Sequence, residues 1–327
     1  MTATTFKSHL AKDMCSYVEL KQSLGMKAAN IEKNLRLLDG FLIRRHAEAD
    51  DVSLPILEDW FTENPELHPA TRALRLSVVR QFCLYRRRTD ADVYVPDKRA
   101  TPMLWPARVP RHRPYIFTAE EVKRLLRAAL ELRPYLSNPH RPRTFFNLLL
   151  LLYTTGLRIS EAHALCVGDV DWSAGTLLVR ESKFFKTRLV PVARDVLASL
   201  RDYHALLDLP RGDAALPLPF FQKGRRRSYS LAGFQEVGLQ LLRRAGLKPA
   251  VGHVGPRLHD LRHAFAVRCI ERWYADGRDV QNLLPRLATY MGHKNIASTQ
   301  YYITVTVAIL HRAGERFERA CAPGRRA

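Results

Sequence analysis

The sequence predicts a mainly α-helical chain with one small antiparallel β-sheet, divided into a helical first domain and an α+β second domain. Three observations carry this. Residues 1 to about 90 form a series of segments with apolar residues at helical spacing. Residues 95–114 carry Pro96, Pro102, Pro106, Pro110 and Pro114, a density that excludes a helix interior and favours an extended path. Residues 169–192 switch to strand chemistry. A length of 327 residues favours two domains over one, and 46% hydrophobic residues suffice for real cores.

In the first domain, residues 1–94, helices are expected over 4–24, 30–46, 54–62 and 69–88. In the last of these, Leu74, Val78, Phe82 and Tyr85 share one face. Arg72, Arg75 and Arg80 fall largely elsewhere, and Arg86-Arg87-Arg88 close the segment. Basic residues in a last turn also suit the helix dipole. The preferred reading is a helical domain that presents Arg72, Arg75 and Arg80 to DNA. In the linker, 95–114, Lys98, Arg99, Arg108, Arg111 and Arg113 either follow a phosphate backbone or keep the segment soluble.

The second domain, residues 115–327, starts on a capping box, Thr118 with Glu121, with Phe117 placed to staple onto Val122. Val122, Leu125, Leu126, Ala129 and Leu130 then form the stripe of an amphipathic helix. A more buried helix over 144–155 stops at Gly156, and a short helix past Arg158 carries Glu161 and Leu165. Asp171 to Gly175 form a turn and 176–180 a strand. Lys183 to Lys186 form a hairpin tip, and 188–192 the returning strand. Helices resume at Asp195. Residues 222–227, with Arg225, Arg226 and Arg227, form a basic loop that lacks the Gly-Lys-Ser/Thr of a nucleotide-binding loop.

Lys plus Arg total 52 against 32 Asp plus Glu, a net charge of +20. Such an excess points to a polyanionic partner, most simply nucleic acid, or to a merely solvated basic surface. The five cysteines, Cys15, Cys83, Cys166, Cys269 and Cys321, are odd in number and widely spaced. They indicate neither a disulfide framework nor a zinc site, and a reducing cytoplasm fits them. No secretory signal is visible at the N-terminus. The longest apolar run, 145–153, is broken by Asn147 and is about half of what crosses a bilayer core of roughly 30 Å.

The chemistry-bearing residues come in order. Arg158 lies in Thr154-Thr155-Gly156-Leu157-Arg158-Ile159-Ser160-Glu161. Lys183 lies in Ser182-Lys183-Phe184-Phe185-Lys186-Thr187-Arg188-Leu189-Val190-Pro191. His259 and Arg262 lie in Leu258-His259-Asp260-Leu261-Arg262-His263, and His293 stands nine residues before Tyr302. Breaking a phosphodiester requires stabilising a five-coordinate phosphorus with extra negative charge, by metal ions or by fixed cations. Guanidinium groups carry permanent charge and fork onto two phosphate oxygens. His259 and His263 have metal-ligand spacing, but no Glu occupies the position a zinc-protease motif requires, so His263 is read as structural.

In this set the chain resembles the tyrosine recombinases of the phage-integrase type, over about residues 112–320. The resemblance implies a two-domain DNA-clamping architecture, a helical core-binding domain plus an α+β catalytic domain. Arg158 and Arg262 would hold the scissile phosphate. Tyr302 would be the nucleophile, with Tyr301 its neighbour and competitor. Lys183, five residues before Arg188, would be the general acid, and Lys186 is the alternative or a plain phosphate contact. His259 would transfer a proton or bond the phosphate, and His293 would hold the geometry. Arg188 and the basic loop are read as DNA contacts. The reaction would need no cofactor, metal or ATP.

The implied partners are double-stranded DNA and a homo-tetramer on paired sites, with room for accessory proteins and no membrane. After Tyr302, the apolar residues Val305, Val307, Ile309, Leu310 and Phe317 in the tail, 303–327, either pack on their own domain or dock on a neighbouring protomer. The wording Leu258 to His263 and Tyr290-Met291-Gly292-His293 is similar to recombinases of transposons and integrative elements. A type IB topoisomerase and a catalytically silent DNA-binding protein are the competing readings.

Overall fold

The structure is a computed structural model that describes residues 6–26, 28–45, 52–97, 104–105, 114–180, 187–224, 226–252, 255–293, 295–296, 299–300 and 314. The chain forms two compact units, Met1–His112 and Arg113–Ala327. Among the described residues no helix is long and apolar enough to cross a membrane.

The first unit contains α1 (Ala11–Ser23), α2 (Ala29–Arg44), α3 (Leu54–Thr62) and α4 (Pro69–Arg86). Proline in the first turns of α3 and α4 gives up an N–H that has no intrahelical partner there. Met14, Leu35, Leu38, Phe41, Leu57 and Phe82 are essentially sealed from solvent in one core. The buried arc of α4 runs through Leu76, Val78, Val79, Phe82 and Cys83, so Val78 and Phe82 of the expected face are buried, whereas Leu74 is 44% exposed. The expected face was therefore about a quarter of a turn off. The first unit also takes in part of the proline-rich segment: Leu104 is fully buried in its core, and Val95 and Trp105 pack against it.

The second unit opens with α5 (Ala119–Leu130), held by the Thr118–Glu121 capping box. Its buried side is Val122, Leu125, Ala128 and Ala129, while Leu130, expected in the stripe, is 43% exposed. Next come α6 (Arg141–Thr155) and α7 (Ile159–His163). Strands β1 (Val170–Asp171), β2 (Thr176–Val179) and β3 (Arg188–Pro191) form an antiparallel sheet in that order. Leu177 faces Val190 across the central pair, and both are fully buried. Helices α8 (Arg194–Ala205), α9 (Leu231–Arg244), α10 (Asp260–Ala275) and α11 (Val280–Met291) complete the unit. One core joins Phe145, Leu148, Leu152, Leu177, Phe234 and Leu261. A smaller one, with Phe265, Ile270, Leu284, Leu287 and Met291, binds α10 to α11.

Gly156 ends α6 in the left-handed region, at φ +64, and a side chain there would meet the Phe265 ring at 2.5 Å. This close approach of α10 sets the spacing of the loop that carries Arg158. Gly156→Ala is expected to destabilise the chain by about 2–4 kcal/mol, from left-handed strain plus overpacking. Urea unfolding of the variant measures this; an unchanged midpoint would show that the α6–α10 approach is not constraining.

Candidate active site

Three of the expected residues converge on one feature, the C-terminal end of α11. An α-helix leaves its last carbonyls without intrahelical partners, at the negative end of its dipole. Here Gly292 is left-handed, at φ +66. Its N–H bonds the Thr289 carbonyl, and the His293 N–H bonds the Ala288 carbonyl. These bonds make a Schellman termination, which leaves the carbonyls of Tyr290, Met291 and Gly292 pointing onward. Each is taken by a different arginine. Arg188 Nε donates to Tyr290 O at 2.8 Å. Arg262 Nη2 donates to Met291 O at 2.5 Å. Arg158 Nη2 donates to Gly292 O at 2.9 Å. Arg262 also donates from Nη1 to Gly156 O at 2.6 Å, tying the end of α6 to the end of α11.

Local sequence explains how each guanidinium arrives. Gly156 turns the chain, Arg158 is extended (φ −71, ψ 146), and α7 begins immediately after it. Glu161 reaches back to the Arg158 N–H at 3.0 Å and accepts from Arg158 Nη1 at 2.6 Å. Arg188 forks onto the same carboxylate, Nη1 to Oε1 at 3.1 Å and Nη2 to Oε2 at 2.8 Å. Burial of Glu161 alone would raise its pKa. The hydrogen bond and charge of Arg188, then Arg158, more than offset this and hold it below the ordinary carboxylate range. Arg262 lies in the first turn of α10 and is 2% exposed.

His293 and His259 are both biased toward their neutral forms. Burial, then the charges of Arg262, Arg158 and Arg188, push His293 down to about 3. Its Nδ1 lies 2.7 Å from the hydroxyl of Thr299, which is fully buried. His259 occupies the N-cap position of α10 without a capping bond from its side chain, and is an exposed residue. Desolvation by the packing around it, then Arg262, still hold it below the ordinary imidazole value. The His263 ring meets His259 edge-on at 5.0 Å, with Nε2 3.9 Å from Asp260 Oδ1. Among the described residues no group of three or more His, Cys, Asp or Glu could hold a metal ion.

Arg158, Arg262 and His293 are thus brought together, with His259 near enough to feel both arginines. Lys183, Lys186, Arg225, Tyr301 and Tyr302 lie outside the described residues. Arg188, expected on the DNA backbone, instead turns inward with an 11% exposed side chain. Strand alternation held the clue: Leu189 is 64% exposed and Val190 fully buried, so Arg188 shares the inner face with Val190. Thr299 was not singled out; a hydroxyl six residues after a site histidine was its only sign.

Of the other expected DNA contacts, Arg226 donates to the Asp208 carbonyl at 3.1 Å, and Arg227 is exposed. In the first unit, Arg72 lies over the Phe61 ring at 4.8 Å and donates to Leu104 O at 2.9 Å. Arg75 lies over Trp60 at 5.7 Å, and Arg80 is 3.8 Å from Asp97. Arg72 and Arg75 occupy the buried arc of α4 that the sequence reading placed elsewhere, so their stems cover aromatic rings.

Arg158 spends two of its five N–H donors on these contacts. With Arg262 it makes a concentrated, poorly solvated positive site, suited to an anion such as a phosphodiester.

Residues 116–308 match the phage integrase family. The chain is 37% identical to a putative integrase/recombinase y4rB of Sinorhizobium fredii, over 93% of this chain and 95% of that protein. It is 37% identical to tyrosine recombinase XerA of Thermococcus kodakarensis, over 65% of this chain and 66% of that one. Its fold is similar to that of the Tn1549 transposon integrase solved with circular intermediate DNA, with a TM-score of 0.66 and 17% identity over 94% of this chain and 99% of that one.

The depressed His293 pKa has a consequence for stability. The fold favours the neutral ring, so its contribution is fully present above the unfolded value of 6.5 and is lost as pH falls from there toward about 3. Between pH 7 and 4, unfolding free energy is expected to drop more steeply in the wild type than in His293→Gln. Urea titrations across that range measure it, and parallel pH profiles would show that the ring protonates normally in the fold.

Proposed function

This chain belongs to the phage integrase family, and on that premise we propose that it is a site-specific DNA recombinase acting through a 3′-phosphotyrosyl intermediate. The observation that supports it is the seating of Arg158, Arg262 and His293 on one helix end, with Tyr302 nine residues after His293. Relatives named integrase/recombinase and tyrosine recombinase support the same reading.

In the proposed reaction the Tyr302 oxygen attacks phosphorus while the bond to the 5′-oxygen breaks. An unperturbed phenol has a pKa of about 10. Nearby guanidinium charge favours the phenolate, and neutral His259 can accept the proton. The negative charge that builds on the non-bridging oxygens falls to Arg158 and Arg262. One such fixed donor is typically worth about 3 kcal/mol in the transition state. We assign His293 the tautomer in which the Thr299 hydroxyl donates a hydrogen bond to Nδ1, which leaves Nε2–H to donate to a phosphate oxygen. Lys183 delivers a proton to the departing 5′-oxygen. The phosphate remains a diester, so a second 5′-hydroxyl can reverse the step on another strand without ATP.

Finer parts of the proposal are integration, excision or transposition of a mobile element, and a tetramer on paired sites. The apolar tail, 303–327, would join neighbouring protomers head to tail. The basic excess would give DNA affinity that falls steeply with salt.

The test uses nicked suicide duplexes carrying inverted core repeats selected by the protein from random sequence. Wild type is expected to form a covalent adduct that survives EDTA. Tyr302→Phe should form none while binding the same DNA nearly as well. An adduct lost in Tyr301→Phe but kept in Tyr302→Phe would move the nucleophile. Relaxation of plasmids lacking the site would favour the topoisomerase reading instead.

A further inference from the structure

We propose that Arg188 is a positioning residue that supplies the counter-charge to Glu161, and so leaves the charge of Arg158 for a phosphate. This rests on the reading of Arg158 as a phosphate-binding group.

Glu161 is an uncomfortable neighbour for such a group. Its side chain is 3% exposed, and its Oε1 lies 2.6 Å from Arg158 Nη1. A buried carboxylate with one arginine as its only partner would make a pair of zero net charge. A phosphodiester would then have to compete for a guanidinium already held by an anion, in surroundings that strengthen the holding. Arg188 changes the sum. It covers both carboxylate oxygens with a fork at 3.1 and 2.8 Å, so the trio of Arg158, Glu161 and Arg188 carries a net charge of +1.

Arg188 cannot readily do anything else. Its Nε is committed to Tyr290 O at 2.8 Å. Its guanidinium packs on Gly292 so closely that a Cβ there would lie 3.0 Å from Nη1. With an 11% exposed side chain it is poorly placed to meet DNA itself. Its position at the start of β3 also anchors the returning strand of the hairpin to the helix end that carries His293. The residue therefore acts through Glu161 and Arg158, not on the substrate.

Charge balance gives a test that a purely structural role would not pass. Single-turnover adduct formation on the suicide duplex is measured for wild type, Arg188→Gln, Arg188→Lys and the double variant Arg188→Gln/Glu161→Gln. Gel-shift affinity and thermal melting are measured alongside. Arg188→Gln is expected to lose about 100-fold in cleavage, the size of effect seen when one transition-state donor is lost, with DNA affinity little changed. The double variant removes the carboxylate charge as well, restores the charge of Arg158, and should recover at least about tenfold of that loss.

A double variant no faster than Arg188→Gln overturns the proposal, as does an Arg188→Gln that cleaves like wild type. Should Arg188→Gln not fold, Arg188→Lys decides. It keeps the charge and loses the fork, so cleavage within about tenfold of wild type supports the proposal and a larger loss overturns it. A wild-type chain that forms no adduct overturns the proposed function instead.

Discussion

Three backbone carbonyls at the end of α11 hold the second unit's site together. The Schellman turn at Gly292 satisfies the earlier carbonyls of the last turn and aims those of Tyr290, Met291 and Gly292 outward. Left unpaired in a buried setting, each would cost on the order of 1–3 kcal/mol. Arginines from three distant parts of the chain meet that need: Arg158 before α7, Arg188 in β3 and Arg262 in α10. The negative end of the helix dipole favours cations at this point. The same bonds that finish the helix therefore assemble the cationic cluster, and His293 follows directly in the chain.

Gathering three guanidiniums in a small volume costs repulsion, and the site offsets it in two ways. Glu161 supplies one full negative charge, shared between Arg158 and Arg188. The helix carbonyls supply partial charge without a counterion that could dissociate. The imidazoles contribute none: both His259 and His293 are driven toward their neutral forms, His293 to about 3. The positive charge of such a cluster rests on guanidinium groups alone. Preorganised cations of this kind suit a phosphodiester, whose transition state gains negative charge.

Gly156 shows how tightly the backbone supports this. Its left-handed turn lets α10 pack against the end of α6, with no room for a Cβ beside Phe265. Arg262 then spans from the Gly156 carbonyl to Met291. The α6 end, the α10 start and the α11 end are thus fixed against one another by one side chain and one missing methyl.

Local patterns alone determined much of this. The capping box at Thr118, the strands around the turn after Asp171, and the helix stop at Gly156 are each written in a few adjacent residues, and each is realised. Arg158, Arg262 and His293, picked out by the family resemblance, also come together in space, with His259 near enough to feel both arginines. What the sequence could not settle was direction. On α4, a shift of about a quarter of a turn turned Arg72 and Arg75 from expected surface groups into residues lying over Phe61 and Trp60. Arg188 reads as one more basic residue in a basic hairpin, yet its fork closes on a carboxylate 27 residues away and its Nε on a carbonyl 102 residues away. Such partners have no signature in local spacing. They exist only once packing has decided which ends of which helices meet, and a long arginine side chain satisfies whatever acceptors that meeting leaves exposed.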